Sequence, residues 1–465
     1  MLTRNQAILY PLLIFAATFR TIAALSVINQ PRMPIIKTKV NVNVKANESA
    51  NVLVKGHEHI GSRVMRLPSG TRVRLFYPTI ATLNSAQSGN SRSNGNENAN
   101  KIENANMAPY CTDGRQTSNG MAGLVGFRQL GLSFLLAHLA SASSGCILDA
   151  PFANVNLNLN NANPNVKGNV EHSGDDLDGH GDDDDDDDDN KIPLVIYSHG
   201  YGGNMDMATY FFRTMASKGI IIAAVEHTDG TASSTVLEDG SERRFNAYFM
   251  TGRQQLTRRA SELLEAVEFL PKVLLLGHET LVREEGCSDI DAYEDVDADV
   301  DSMSVRVQVG TIMLGGHSYG APSAIMAANG SKLDPITGES KIGGVILHDP
   351  ALGMGYGMLP PNGSKSKVPT ISYLSDEYHK ANVQYGDLTL HVKGCRHGNF
   401  VDAPLWAPMW IMRPLSLLVP AAGSADPVLV HEELAESASA FLQSRDPTSP
   451  DVRRAGVGGI FEFVR

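Results

Sequence analysis

The sequence predicts an α/β protein with a doubly wound, mostly parallel β-sheet that carries helices on both faces. Short runs of β-branched and apolar residues, such as 192–198 and 220–225, have the composition of strands buried on both faces. Segments with helical periodicity separate these runs, as expected when crossover helices connect parallel strands. A glycine-rich segment at 311–325 joins a strand to a helix through a sharp turn.

The predicted elements begin with a β-hairpin, because Arg63–Arg66 and Thr71–Tyr77 alternate apolar and polar residues around a turn at Leu67–Gly70. The apolar segment Gly123–Leu139 has helical spacing and fits either a packed helix or a flap over an apolar site. The remaining predicted strands are Ile192–Ser198, Ile220–Val225, Thr311–Leu314, Gly344–Leu347, Thr370–Leu374 and Leu388–Val392. The remaining predicted helices are Met205–Ser217, Arg253–Leu270 and Val428–Leu442.

The segment Thr311–Ile325 contains the pentapeptide Gly316-His-Ser-Tyr-Gly320 between an apolar strand and a small-residue helix. This pattern is typical of a nucleophile elbow, in which a strained backbone raises a serine hydroxyl above the sheet. Glycine at the flanking positions lets the strand and the helix approach closely. Ser318 is therefore the predicted nucleophile, and the alternative is an ordinary turn that uses glycine for packing.

A serine nucleophile needs a base within hydrogen-bonding reach and an acid that orients the base. Among the histidines after Ser318, His397 is the predicted base because it lies in a glycine-rich loop that follows the last predicted strand. Asp349 and Asp376 are both candidates for the acid, since each follows a predicted strand at the edge of the sheet where such sites form. The residues alone do not separate these two acids.

An oxyanion hole needs two backbone N–H groups that point at the developing negative charge. One is expected from Tyr319, which follows the nucleophile, and the other from Tyr201 in the glycine-rich turn His199–Gly203. The alternative for this turn is a simple glycine connection before a helix. Both tyrosines are bulky enough to narrow or reshape a substrate pocket.

Several motifs together resemble the platelet-activating factor acetylhydrolase family, the secreted and intracellular group with an α/β-hydrolase fold. They occur in family order over most of residues 61–445. They are Arg74-Leu-Phe-Tyr-Pro78, Pro193-Leu-Val-Ile-Tyr-Ser-His-Gly200, Ala223-Ala-Val-Glu-His-Thr-Asp229, Gly316-His-Ser-Tyr-Gly320, Leu347-His-Asp-Pro350 and His397-Gly-Asn-Phe-Val-Asp402.

The resemblance implies a serine-dependent, calcium-independent hydrolase that uses no cofactor and no metal. Its expected substrates are glycerophosphocholines with an acetyl, short or oxidised acyl ester at the sn-2 position. It implies Ser318 as nucleophile and His397 as base, and it favours Asp349 over Asp376 as the acid. The alternatives are a broader carboxylesterase or lipase with the same residues, and a catalytically silent protein that uses this fold for binding.

The chain is expected to form one catalytic domain at 61–445, behind a probable signal peptide at 1–30 and before a tail at 446–465. Low-complexity inserts interrupt the domain at about 84–106, 154–190 and 288–303. The net charge of −12 depends on the acids of the last two inserts. Their runs lack the ligand spacing of a calcium loop, and no basic face indicates nucleic acid.

The N-terminus has the pattern of a secretory signal, because Arg4 precedes an apolar run at 7–19 that is too short to span a bilayer. Sequons at Asn47, Asn329 and Asn362 agree with a secreted glycoprotein. A cytoplasmic or membrane-associated location is the alternative. Four cysteines, which are Cys111, Cys146, Cys287 and Cys395, show no metal-ligand spacing and leave disulfide pairing open.

Both tryptophans of the chain, Trp406 and Trp410, follow the predicted base in an apolar segment at 405–412. Tryptophan beside apolar residues suits a lipid or lipoprotein interface. Packing of this segment in the core is the alternative.

Overall fold

The structure is a computed structural model that describes residues 59–79, 107–124, 127–128, 131–153, 191–276, 307–331, 340–407, 409–416, 421–454 and 459–464. The predicted signal segment, the three low-complexity inserts, Asn47 and Cys287 lie outside these residues. The other three cysteines are buried and carry free thiols. No helix in the described ranges is long and apolar enough to cross a membrane.

The strands match the sequence pattern closely at the centre of the chain, where 192–198, 370–374 and 388–392 have the predicted bounds. The strands are β1 (Ile60–Arg66), β2 (Arg72–Pro78), β3 (Met107–Pro109), β4 (Ser143–Leu148), β5 (Ile192–Ser198), β6 (Ile221–Glu226), β7 (Ser234–Val236), β8 (Glu242–Arg244), β9 (Val309–His317), β10 (Ile342–His348), β11 (Thr370–Leu374), β12 (Leu388–Val392) and β13 (Phe461–Phe463).

Within the described residues, eleven of these strands form one sheet in the order β13-β12-β11-β10-β9-β5-β6-β2-β1-β4-β3. The block from β12 to β6 is parallel throughout, and β2 pairs antiparallel with β1, as the predicted hairpin requires, and with β6. The predicted mostly parallel sheet is therefore confirmed. Because β5, β9, β10 and β12 run in one direction, the loops that follow them emerge at the same edge.

The α-helices are α1 (Arg115–Leu124), α2 (Thr209–Ala216), α3 (Gly252–Leu276), α4 (Gly320–Gly330), α5 (Asp376–Lys380), α6 (Met409–Leu415), α7 (Pro427–Ser444) and α8 (Pro450–Arg454). Apolar residues of α2 and α7, such as Phe211 and Leu434, pack on one face of the sheet. Leu263 of α3 and Ala324 of α4 belong to a second core cluster on the other face. The helices thus cover both faces, as predicted.

Two segments differ from the expectation. The single helix predicted over 123–139 is wrong, because α1 ends at Leu124 and the chain continues in two short 3-10 turns, Ser133–Leu135 and Ala137–Ser141. Gly131 lies between α1 and the first of these turns, and its backbone φ of 70° is incompatible with a continuous right-handed helix. The stretch expected to be a tail contributes α8 and β13, and β13 adds an antiparallel edge to β12.

Candidate active site

Ser318 lies at the tight turn between β9 and α4, where its backbone φ is 54°. Residues other than glycine rarely adopt this left-handed conformation, so the surrounding contacts must hold a strained turn. A side-chain carbon at Gly320 would overlap the carbonyl oxygen of Ser198, and one at Gly316 would overlap the backbone of Gly320. The glycine pattern of the sequence therefore has a steric cause.

The strained turn is bonded to the neighbouring strand. The Ser318 N–H donates to the His348 carbonyl at 2.9 Å, and the Ser318 carbonyl accepts from the Ala351 N–H at 3.1 Å. These two partners flank Asp349, which follows β10 and has a left-handed φ of 50°. Main-chain hydrogen bonds thus hold the predicted nucleophile beside one of the two candidate acids.

His397 opens a 3-10 turn after β12 and reaches that acid. Its Nδ1 lies 2.6 Å from Asp349 Oδ2. The Ser375 N–H donates to Asp349 Oδ1 at 2.8 Å, and the Ser375 hydroxyl donates to Oδ2 at 2.9 Å. The carboxylate is fully buried, whereas the imidazole is 26% exposed. Because Nδ1 donates to Asp349, Nε2 is the nitrogen that can accept a proton from a substrate or nucleophile.

Asp376, the other candidate acid, contacts different groups. Its Oδ1 lies 2.8 Å from His391 Nε2 and accepts from the Gly394 N–H at 3.2 Å. The structure therefore brings Asp349 to His397 and places Asp376 against a histidine inside β12. The two acids looked equivalent in the sequence because both follow a strand.

Tyr378 is a site residue that the sequence did not indicate. Its ring stacks on the His397 imidazole with centroids 5.2 Å apart and planes within 8° of parallel. Its phenol lies near the Ser318 side chain, and burial raises the pKa of the Tyr378 phenol to about 12, so the phenol keeps its proton at neutral pH. The available sequence clue was the start of α5 directly after a strand, where Ser375 caps the helix.

The turn that carries Tyr201 lies against the nucleophile, and Tyr319 follows it directly in the chain. Gly200 is so close that a side-chain carbon there would lie 3.0 Å from the Ser318 Cβ. Among the described backbone contacts, the N–H groups of Tyr201 and Tyr319 have no acceptor. The Tyr319 side chain does not narrow the pocket as the sequence suggested, because its hydroxyl donates to the Gly252 carbonyl at 3.1 Å, away from the site. The Tyr201 residue does line the pocket.

Three further histidines surround the site and are held neutral. Burial, followed by the nearby His397, lowers the pKa of His317 well below its usual value. Burial lowers the pKa of His348 to about 3, and the Tyr197 hydroxyl lies 2.8 Å from its Nδ1. Burial and then Arg259 lower the pKa of His199. These rings therefore add no charge beside the nucleophile at neutral pH.

Ser318 and His397 open into a cavity of about 240 Å³ with mostly apolar walls. Its apolar lining includes Met121, Met205, Met207, Phe212, Val401 and Trp406. Trp406 is buried, and its Nε1 donates to the Tyr110 hydroxyl at 2.9 Å. Trp410 lies on α6 and is 62% exposed. The two tryptophans therefore occupy different environments, one in the cavity wall and one at the surface.

Comparison with known proteins gives a family resemblance over part of the chain. The family model described as "Platelet-activating factor acetylhydrolase, isoform II" matches residues 186–334, which include Ser318 and the 199–203 turn. The platelet-activating factor acetylhydrolase of Cavia porcellus is 25% identical over 279 residues, which are 54% of this chain and 57% of that protein. The Bos taurus protein of the same name is 30% identical over 150 residues, which are 29% and 31% of the two chains.

These matches confirm the family resemblance that the motifs indicated, although they span between about a third and just over half of the curated relatives' length. Among solved structures, a ferulic acid esterase from Streptomyces cinnamoneus superposes with a TM-score of 0.51 at 16% sequence identity. The superposition covers 88% of this chain and 96% of that one. At this identity the likeness concerns the fold alone, and it agrees with the predicted α/β-hydrolase fold.

Proposed function

We propose that this chain, which resembles the platelet-activating factor acetylhydrolase family over residues 186–334, is a serine-dependent ester hydrolase. The observation that supports this most directly is the 2.6 Å contact between His397 and Asp349 beside a strained serine in one cavity. A nucleophile, a base and an orienting acid in this arrangement are the groups that acyl transfer requires.

In the proposed mechanism the Ser318 hydroxyl attacks the ester carbonyl while His397 Nε2 takes its proton. Asp349 holds the imidazole tautomer and balances the imidazolium charge. The N–H groups of Tyr201 and Tyr319 stabilise the oxyanion of the tetrahedral intermediate. His397 then protonates the leaving oxygen, and a water molecule reverses these steps on the acyl-enzyme.

The proposed substrates are glycerophosphocholines with an acetyl, short or oxidised acyl group at the sn-2 position. The names of the curated relatives support this class. The volume of the apolar cavity is an independent observation on the length of the acyl group. It is about 240 Å³, several times the volume of about 30 Å³ that a water molecule occupies in the liquid. The cavity therefore has room for an acyl group longer than acetyl, an observation that also favours the broader carboxylesterase as a second candidate.

The first test compares the wild-type chain with Ser318→Ala. We expect a fluorophosphonate probe to label the wild type and not the variant, and the wild type to release acetate from platelet-activating factor in the presence of EDTA. Labelling without acetate release would retain the serine mechanism and remove the proposed substrate; a series of acyl lengths on one headgroup would then identify the ester that is cleaved. If the probe does not label the wild type, the alternative of a catalytically silent protein that uses this fold for binding would be favoured.

We also propose that Trp410 contacts a phospholipid or lipoprotein surface. Trp410 is 62% exposed on α6, and this helix follows Trp406 in the wall of the substrate cavity. Arg413 is exposed one turn later on the same helix, where it suits lipid phosphate groups. A surface that carries an aromatic ring and a cation beside the cavity would place the active site near aggregated lipid.

Trp410→Asp tests this contact. We expect activity on phospholipid vesicles to fall several-fold while activity on a soluble short-chain ester stays near the wild-type value. Phe463→Asp is the matched control, because Phe463 is a 51% exposed aromatic residue on the edge strand β13. If Trp410→Asp lost activity equally on phospholipid vesicles and on the soluble ester, the proposed contact with a lipid surface would be wrong.

A further inference from the structure

Arg259 is a buried cation on α3 that the proposed mechanism does not use. Its side chain is fully buried and forms an ion pair with Asp229, also fully buried, at 2.9 Å. Its Nε also donates to Thr231 Oγ1 at 3.0 Å, and its Nη2 contacts the same hydroxyl. A buried guanidinium is stable only when its donors are satisfied, so this network fixes the group firmly.

The same guanidinium touches the turn expected to supply one oxyanion donor. Arg259 Nη1 donates to the His199 carbonyl at 2.7 Å. The His199 carbonyl belongs to the peptide bond immediately before the one that contains the Tyr201 N–H. The other side of the turn is bonded to the Arg259 partner Thr231, since the Gly202 N–H donates to the Thr231 carbonyl at 2.7 Å.

The guanidinium also lies over the ring of Tyr319, the residue expected to supply the other donor. The central carbon of the Arg259 guanidinium is 4.9 Å from the centroid of the Tyr319 ring. The Tyr319 ring also meets the Tyr201 ring edge to face, with centroids 5.5 Å apart. Arg259 therefore contacts both chain segments whose amides flank Ser318, one by a hydrogen bond and the other through a cation–π contact.

Three residues further along α3, Glu262 is linked through His227 to Ser198, the last residue of β5, which directly precedes the 199–203 turn. His227 Nδ1 donates to Glu262 Oε2 at 2.7 Å, and the Ser198 hydroxyl donates to His227 Nε2 at 2.7 Å. Burial lowers the pKa of His227 well below its usual value, which agrees with a neutral ring that donates at one nitrogen and accepts at the other. These three side chains are fully buried and out of reach of substrate, so their role is support.

We infer that Arg259 is the positioning residue of the oxyanion hole. Its contacts set the separation between the Tyr201 and Tyr319 N–H groups before substrate arrives. This inference rests on the proposed hydrolase function. A hydrogen-bond donor helps a transition state only when it already points at the position where the charge develops, so losing this alignment should affect catalysis more than substrate binding.

The test uses Arg259→Lys, which keeps a positive charge for Asp229. A lysine lacks the planar guanidinium that contacts both the His199 carbonyl and the Tyr319 ring. A second variant, Arg259→Met with Asp229→Asn, removes both charges and leaves no unpaired buried ion. Active sites are counted with a fluorophosphonate, and kcat and KM on a soluble short-chain ester are expressed per labelled site. Inhibition by a trifluoromethyl ketone, whose serine adduct carries the oxyanion, is measured in parallel.

We expect kcat per labelled site to fall about tenfold or more in both variants, because a small misplacement of catalytic groups can cost about 100-fold. The ketone should lose affinity by a similar factor while KM stays nearly constant. Arg72→Lys is the control: Arg72 is a buried cation that pairs with Asp113 at 2.7 Å and does not line the cavity. We expect Arg72→Lys to lower, at most, the fraction of molecules that the fluorophosphonate labels, and to leave kcat per labelled site at the wild-type value.

Wild-type turnover per labelled site in both Arg259 variants would overturn the inference and leave the hydrolase intact. A parallel loss in Arg72→Lys would overturn it too, because the effect would then be general destabilisation. If the wild type itself is not labelled at Ser318, the proposed function and this inference both fail.

Discussion

At the scale of single residues, Ser375 connects the catalytic acid to the wall of the site. Its N–H and hydroxyl both donate to Asp349, and its hydroxyl oxygen also accepts from the Tyr378 N–H at 3.3 Å. Tyr378 in turn stacks on His397 and lies near Ser318. One short segment thus contacts Asp349 and His397 and lies beside the nucleophile, which explains how a site on several loops can be held in one geometry.

Replacing Tyr378 tests this role through turnover. In Tyr378→Leu we expect kcat on a soluble ester to fall about tenfold, because the stacked ring no longer holds the His397 imidazole in place and a small misplacement of a catalytic group can cost about 100-fold. KM should change little, since Tyr378 is not among the residues that line the cavity. Steady-state kinetics on the soluble ester measure both constants.

Tyr378→Phe is the matched variant, since it keeps the ring that stacks on His397 and removes only the hydroxyl. Its kcat should stay closer to the wild-type value than that of Tyr378→Leu. Equal losses of kcat in the two variants would show that the hydroxyl, and not the stacked ring, is responsible for the effect.

At the scale of elements, the nucleophile turn depends on close contact between α4 and the end of β5. A side-chain carbon at Gly320 would overlap the Ser198 carbonyl, and Ser198 also donates to the buried His227. The helix cannot move outward freely, because α4 packs against α3 and β9 on the same face of the sheet. The strain at Ser318 is therefore maintained by packing on both sides of the turn.

Gly320→Ala should disrupt this contact. We expect a loss of about 2 kcal/mol or more in the free energy of unfolding, because the overlap is with backbone and cannot be relieved by a rotamer change. Urea denaturation measures it, and fluorophosphonate labelling should fall in the fraction that stays folded.

Gly330→Ala is the control at the opposite end of the same helix, where an added carbon meets nothing within 4 Å. It should be neutral or stabilise by up to about 1 kcal/mol through helix propensity. Equal stability of the two variants would show that the approach of α4 to β5 does not limit the turn.

At the scale of the whole molecule, Asp402 joins the loop that carries His397 to the helical layer and the cavity. The Asp402 carboxyl accepts from the Tyr210 N–H of α2 at 3.2 Å, and its own N–H donates to the Met207 carbonyl at 2.6 Å. Met207 lines the cavity. Burial raises the pKa of Asp402 to about 8, so this carboxyl holds its proton in the folded protein at neutral pH.

This shift predicts a pH dependence of stability. The unfolded chain loses the Asp402 proton near pH 3.9, whereas the folded chain keeps it to about pH 8. Between these values the folded state binds the extra proton, so the free energy of unfolding falls as pH rises. Asp402→Asn removes this titration, and its stability relative to the wild type should improve steadily from pH 5 to pH 8 in urea denaturation.

Glu436→Gln is the control, because Glu436 is a surface acid paired with Lys218. Its difference from the wild type should stay constant over the same range. If the curves for Asp402→Asn and the wild type run parallel, the carboxyl is ionised in the folded state and the argument from burial is wrong.

Features that depend on neighbours along the chain could be predicted from the sequence. Strand composition located the parallel sheet, and the requirement for closely packed glycines located Ser318 at a turn between strand and helix. His397 is predicted as the base because it lies in a glycine-rich loop after the last predicted strand. These patterns are local: side-chain shape and backbone freedom act over a few residues.

Which distant groups meet depends on the tertiary structure. Asp349 and Asp376 have the same local pattern, and strand order and the hydrogen bonds of Ser375 separate them. Tyr378 and Arg259 reach the site by packing of α5 and α3, which no spacing in the chain encodes. The buried Trp406 and the exposed Trp410 differ for the same reason. Contacts between remote segments depend on how the whole sheet and its helices pack, so local patterns leave them open.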